Sequence, residues 1–273
     1  MKLPSGPDYD LVRSLISKSD LHTVCQEAKC PNQWECFARR TATFLILGDR
    51  CTRNCSFCAV EHGPAEALDP EEPLRVAEAV SNLGLRYVVI TSVTRDDLSD
   101  GGAGAFALTI RAIRQKISDV LIEVLIPDFQ GRPGPLEILL DANPDVLNHN
   151  VETVDRLYPV VRPEAVYERS LQIFRRAKNF NESLPLKSGL MLGLGESFEE
   201  VHKTLQDLIE AGCTLLTLGQ YLQPSKNHIP VERFVTPAEF EQFREIALAM
   251  GFSKVASGPL VRSSYHAKDL FTE

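Results

Sequence analysis

Six cysteines fall into two triplets of unequal spacing. Cys51, Cys55 and Cys58 form C-x3-C-x2-C in CTRNCSFC, and Cys25, Cys30 and Cys36 form C-x4-C-x5-C in CQEAKCPNQWEC. Three is an awkward number for disulfides, which use cysteines in pairs, and for closed zinc sites, which usually take four protein ligands. Three thiolates do suit a cubane of four irons. They leave one iron open, either for chemistry or for a ligand from elsewhere. Two triplets therefore suggest two iron–sulfur clusters with different work. The competing reading is a zinc knuckle, with His62 completing a Cys3His set around the 51–58 triplet. The end of a buried parallel strand is a poor place for such a knuckle. The seventh cysteine, Cys213 in AGCTLL, reads as a small buried hydrophobe.

Chemistry of this kind needs a scaffold. The chain has 273 residues, 44% of them hydrophobic and 24% charged, as in ordinary globular proteins. An α/β barrel of this length is routinely one domain. A net charge of −8 argues against a broad surface for nucleic acid or anionic membrane. No apolar run approaches the ~20 residues that span a bilayer. The start, MKLPSGPDYD, has no apolar core and no Arg-rich stretch, so no targeting peptide is expected. We expect a cytoplasmic protein whose cysteines are thiolates in a reducing compartment.

From residue 44 onward, apolar β-rich runs alternate with amphipathic helical runs. Strands are predicted at 44–47, 87–92, 121–126, 145–148, 186–192 and 215–221. Their near-continuous apolar character suits parallel strands buried on both faces. Helices are predicted at 74–83, 105–117, 135–142, 165–179, 198–211 and 237–250. Ser197 with Glu200, and Thr236 with Glu239, are capping-box pairs, with Pro237 at the first helical position. Gly84, Gly212 and Gly251 stand where helices should stop. Right-handed crossovers would wind six such units into a parallel sheet, open or curled. Periodicity does not choose between these. A seventh strand-like stretch, 253–257, leads into the tail. Ligands of parallel α/β folds bind at the carboxyl ends of the strands. Cys51, Thr91-Ser92 and Asn148 fall at those ends, and Glu123 lies within the third strand.

CTRNCSFC, with aromatic Phe57 before its last cysteine, resembles the radical S-adenosylmethionine superfamily. That likeness implies that Cys51, Cys55 and Cys58 hold a [4Fe-4S] cluster whose open iron chelates S-adenosylmethionine. One-electron reduction of the sulfonium would then give a radical able to take hydrogen from unactivated carbon. Phe57, Thr91, Ser92 and neighbouring Val93 become candidate cofactor contacts. Glu123 and Asn148 become candidates for its ribose and carboxylate.

The wider pattern resembles the lipoyl synthase family from about residue 10 to 268. It comprises the first triplet, ARRTATF, RDDLSDGG at 95–102, PDFQG at 127–131, HNVETV at 149–154, MLGLGE at 191–196, GQYLQPS at 219–225 and RSSYHA at 262–267. The resemblance implies a sulfurtransferase with two [4Fe-4S] clusters and S-adenosylmethionine as cofactors. Cys25, Cys30 and Cys36 would hold an auxiliary cluster with Ser264 as its fourth ligand. Two sulfur atoms would enter C6 and C8 of an octanoyl chain on a lysine of a carrier protein, such as a 2-oxoacid dehydrogenase lipoyl domain or the glycine-cleavage H protein. The auxiliary cluster would be the sulfur donor. An electron donor such as flavodoxin or ferredoxin and iron–sulfur assembly proteins would be the other partners of a monomer.

The expected architecture is a partial (β/α)6 barrel of parallel strands over 44–251. Residues 1–43 form an extension with the auxiliary cysteines, and 252–273 a strand and tail with RSSY. Two positions depart from the family pattern: Arg40, where Gly or Lys is expected, and Thr94, where Asp is common. His149 and His266 read as polar residues lining the site or supporting it. Two other readings are a biotin-synthase-like sulfur-insertion enzyme acting on a free small molecule, and a non-catalytic metal-stabilised scaffold.

Overall fold

The computed structural model describes residues 6–272. They form two compact units. The first comprises the described residues through Arg53 together with Ala59–Asp145, and the second comprises Asn54–Cys58 and the chain from Val146 onward.

In the first unit the elements are α1 (Pro7–Lys18), β1 (His22–Thr23), α2 (Val24–Glu27), α3 (Gln33–Ala38), β2 (Thr43–Ile46), β3 (Arg50–Cys51), β4 (Glu61–His62), α4 (Glu72–Leu83), β5 (Tyr87–Ser92), α5 (Ala103–Lys116), β6 (Leu121–Leu125) and α6 (Pro135–Leu140). β2, β5 and β6 run parallel in that order, and β1 adds antiparallel to the free side of β2. Successive strand residues face opposite ways. One face presents Phe44, Ile46, Ile90, Ile122 and Val124, all fully buried. The other presents Thr43, Tyr87, Thr91 and Glu123, which are also buried. Each fully buried large aliphatic side chain contributes about 1.5–3 kcal/mol, so the first face stabilises while the second carries polar function.

The N-terminal extension is tied to itself. Val12 and Ile16 of α1 are buried, Tyr9 meets Phe37 at 5.7 Å between ring centroids, and Arg40 pairs with Asp8 at 2.7 Å. Arg40 takes φ +55°, a conformation that favours glycine. That explains why Gly suits this position.

The second unit holds β7 (Val146–Asn148), α7 (Tyr158–Val161), α8 (Tyr167–Phe180), β8 (Leu186–Leu192), α9 (Phe198–Glu210), β9 (Leu215–Gln220), α10 (Pro237–Met250), β10 (Lys254–Gly258) and α11 (Ala267–Thr272). Its strands are parallel in the order β7-β8-β9-β10. Both capping boxes form: Ser197 and Thr236 accept from the backbone N–H of Glu200 and Glu239, whose carboxylates accept in return. Among the described residues no helix is long and apolar enough to cross a membrane.

The parallel α/β class is as expected. Two details differ from the sequence reading. The first strand does not run straight into Cys51: Leu47 and Gly48 turn at φ +71° and +89°, and Cys51 lies on β3, paired with β4 opposite His62. The fourth connection carries a 3-10 turn at Asp155–Leu157 and the short α7 before its main helix; α7 stops because Arg162, at φ −137° and ψ 66°, precedes Pro163, which disfavours helical backbone there.

Candidate functional site

Cys25 lies on α2, Cys36 on α3 and Cys30 in the link between them. Cys25 is buried and the other two are half-buried. Burial pushes the Cys25 thiol up to about 12, with Cys30 and Cys36 adding to the rise. Cys36 is pushed up to about 11 by burial and then by Cys30. The three sulfurs thus share one electrostatic environment. A bound metal charge would reverse both causes at once, and a soft all-thiolate donor set is what iron–sulfur clusters use. The turn is fixed by backbone: Cys30 N–H donates to Cys25 O at 3.1 Å and Thr41 N–H to Cys36 O at 2.8 Å. Among the described residues no three His, Cys, Asp or Glu side chains converge on a single-ion site. A four-iron cubane is larger than one ion and needs its thiolates spread apart.

In the same unit, Cys51 Sγ accepts from two backbone N–H groups, Thr94 at 3.3 Å and Arg53 at 3.5 Å. The RDDLSDGG segment lies along the cysteine loop. Thr52 donates to Thr94 O from both its N–H and its hydroxyl, and Asp96 N–H donates to Thr52 Oγ1 at 3.0 Å. Position 94 makes these contacts through its backbone. The Arg53 side chain, 3% exposed, pairs with Asp96 at 2.6 Å and with fully buried Asp128 at 2.6 Å. Burial alone would lower the Arg53 pKa, but hydrogen bonds to Asp96 and Asp128 outweigh it and hold the charge. Sequence reasoning marked RDDLSDGG and PDFQG as motifs without a task. The available signal was an arginine between two ligand-type cysteines and an acid in each motif.

The second unit holds the rest of CTRNCSFC. Asn54 N–H donates to Glu164 at 2.9 Å and Ser56 Oγ to Val160 O at 2.8 Å. Ile229 N–H donates to Ser56 O at 3.0 Å, and Cys58 N–H to Cys55 O at 3.0 Å. Phe57 is half-buried on the turn between those cysteines. His228 Nε2 lies 2.9 Å from Cys58 O. A carbonyl only accepts, so Nε2 carries a proton, while Nδ1 meets the Ser225 hydroxyl at 2.8 Å.

Thr91 donates its hydroxyl to Leu125 O at 2.9 Å, and the same oxygen keeps lone pairs with which to accept. Ser92 Oγ, at the carboxyl end of β5, is buried with no hydrogen-bond partner, an orphan that a polar cofactor would satisfy. Val93 is buried beside it. Glu123 is fully buried on β6 and accepts from Tyr87 Oη at 2.6 Å. Burial and this carboxylate push the Tyr87 pKa far up. Asn148 is buried at the end of β7.

Just beyond it the structure gathers residues that the sequence reading passed over. Asn150 Oδ1 and Thr153 Oγ1 are buried without partners. Glu152 stands at φ +64°, and its pKa is raised by burial against the pull of Arg162, Asn150 and Arg262. Arg162 donates to Asn150 O at 3.0 Å and to Tyr158 Oη at 3.2 Å. The signal was present as polar residues at alternate positions in NHNVET. His149 instead packs away, with Nε2 3.0 Å from Ser170 Oγ.

Ser264 is half-buried on the turn at 263–266. His266 on the same turn pairs with Asp269 at 2.8 Å. Cys213 is fully buried, and burial raises its thiol pKa, as a packing residue's would be.

Residues 45–208 match the family described as the Radical SAM superfamily. The chain is 59% identical over 269 residues to a lipoyl synthase of Desulfotalea psychrophila, which spans 98% of this chain and 90% of the relative. It is 54% identical over 268 residues to a lipoyl synthase of Rubrobacter xylanophilus, covering 98% and 84% respectively. Among solved structures, methylornithine synthase matches with a TM-score of 0.57 at 15% identity, over 93% of this chain and 75% of that one. That is a likeness of fold.

Proposed function

This chain belongs to the lipoyl synthase family of the radical SAM superfamily, and from that premise we propose that it inserts sulfur at C6 and C8 of an octanoyl chain borne on a lysine of a lipoyl carrier protein. When bound, S-adenosylmethionine and its reduced [4Fe-4S] cluster supply a hydrogen-abstracting radical, and an auxiliary cluster supplies sulfide. Cys51, Cys55 and Cys58 would hold the first cluster. Two backbone N–H groups at Cys51 stabilise negative charge on its sulfur, as hydrogen bonds to cluster sulfurs do. Ser92 would accept or donate a hydrogen bond to S-adenosylmethionine, and Thr91 and Val93 would contact it through backbone. Phe57 would line it, and Glu123 and Asn148 would orient its polar groups. Cys25, Cys30 and Cys36 would hold the auxiliary cluster, with Ser264 as the fourth ligand. We further propose two clusters per chain, an external donor such as flavodoxin or ferredoxin, help from cluster-assembly proteins, a monomer, and a cytoplasmic setting.

One observation supports this division of labour above the rest: the two cysteine triplets stand in different surroundings. One has a sulfur that accepts backbone N–H bonds beside a buried ion network. The other has a buried Cys25 and a half-buried Cys36 whose thiol pKa values are raised, first by burial and then by neighbouring cysteines.

The test uses anaerobically reconstituted protein with dithionite, S-adenosylmethionine and an octanoyl-lysyl peptide. We expect about eight irons per chain, from two four-iron clusters, with 5′-deoxyadenosine and dithiolated peptide as products. Cys55→Ala should abolish cleavage of S-adenosylmethionine. Cys30→Ala should spare cleavage and stop sulfur insertion. Equal loss of cleavage in both variants, or zinc in place of iron, would overturn the reading.

A further inference from the structure

We propose that Arg53 is a positioning residue for the cysteine loop: locked between Asp96 and Asp128, it fixes the two N–H donors at Cys51 Sγ and so sets the reduction potential of the cluster that Cys51 ligates. This rests on the reading of Cys51, Cys55 and Cys58 as ligands of one cluster.

The geometry closes a ring. Arg53 Nε and Nη2 reach the two carboxylate oxygens of Asp96 at 2.6 and 3.0 Å, and Nη2 also reaches Asp128 at 2.6 Å. Asp128 is itself fixed by the Gln130 N–H at 3.0 Å. One donor to Cys51 Sγ is the N–H of Arg53, and the other is that of Thr94, two residues before Asp96. A change in the Arg53–Asp96 pairing therefore moves both donors relative to the sulfur.

One cation faces two carboxylates, so the network carries excess negative charge. It is no counter-charge for an anionic cluster, and its contribution is geometric. A buried ion network is seldom the most stabilising choice for a loop, whereas a two-pronged guanidinium–carboxylate pair fixes direction as well as distance. Hydrogen bonds to ligand sulfur favour the more negative, reduced cluster, and losing them lowers the potential.

The experiment compares the reconstituted wild-type chain, R53K and R53M/D128N by iron content, thermal midpoint and EPR-monitored redox titration with and without S-adenosylmethionine. R53M/D128N removes the cation together with the fully buried carboxylate, so its thermal midpoint should stay close to wild type. Its ratio of reduced to oxidised cluster at a fixed poise should nevertheless fall about tenfold, a shift of about 59 mV for one electron. R53K should fall between the two, since an ammonium cannot reproduce the two-pronged contact. A folded, iron-loaded R53M/D128N at the wild-type potential would overturn the proposal. If that variant holds no cluster, R53K decides: full iron at the wild-type potential overturns it, and a lowered potential supports it. A wild-type EPR signal that S-adenosylmethionine leaves unchanged would instead sink the cluster assignment on which the proposal stands.

Discussion

Ser264 would hold iron through oxygen, a harder donor than the thiolates around it and a poorer match for an iron–sulfur cluster. The iron it holds should be the first to leave, which suits a cluster that must surrender sulfide. Ser264→Cys should therefore keep auxiliary iron through turnover and cut sulfur insertion by tenfold or more, with S-adenosylmethionine cleavage little changed. Iron analysis before and after one turnover, with mass spectrometry of the peptide, checks this; wild-type insertion by the variant would contradict it. A second single-residue effect belongs to stability. Tyr87 donates to the fully buried carboxylate of Glu123 at 2.6 Å. Removing a donor from a buried acceptor costs roughly 1–3 kcal/mol. Tyr87→Phe should lower stability by about that amount in urea denaturation, and a loss below about 0.5 kcal/mol would mean that other contacts already satisfy Glu123.

At the level of elements, the close approach at β9 makes the sharpest demand. A Cβ on Gly219 would stand 2.1 Å from the carbonyl oxygen of Val261, so Gly219→Ala must push the backbone that leads into RSSY. The expected result is loss of sulfur insertion and of about half the bound iron, with 5′-deoxyadenosine formation kept. Loss of cleavage as well would argue for general damage to the second unit. The helix caps give a pH signature. Glu239 is held down at about 2, first by the Thr236 N–H, then by its hydroxyl and Arg233. That lies below the ordinary value of about 4.3, so the cap's stabilisation is present above that pH and is lost as pH falls toward 2. Thr236→Ala should cost about 1 kcal/mol near neutrality and flatten the acid limb of the thermal-midpoint profile; an unchanged limb would refute it. This cap was legible beforehand, because Thr, Pro and Glu at fixed offsets state a local rule. So were the strands, whose apolar runs are long enough to speak for themselves. The β3–β4 ribbon was not, because each strand is two residues long and depends on the left-handed turn at Leu47–Gly48.

Across the whole chain, sequence carried the cysteine triplets and the α/β alternation, but not the links between distant positions. Nothing in CTRNC says that Arg53 meets Asp96 43 positions away and Asp128 75 positions away, since ion pairing follows tertiary placement rather than spacing. The tasks of RDDLSDGG and PDFQG emerge only once the chain is folded. The two triplets, by contrast, are separable in sequence and in surroundings, and this makes a prediction about the whole of this chain. If one triplet holds the cluster that generates the radical and the other a cluster consumed as sulfur donor, each loaded chain should yield at most one dithiolated product. More S-adenosylmethionine or reductant should not raise that plateau. Replacing Cys25, Cys30 and Cys36 together by Ala should leave about half the iron and an enzyme that still cleaves S-adenosylmethionine without transferring sulfur. Loading the clusters with heavy sulfide before adding peptide should place the label at both new C–S bonds. Unlabelled product, or several products per chain without any cluster rebuilding, would show that sulfur comes from outside the protein and that Cys25, Cys30 and Cys36 serve another purpose.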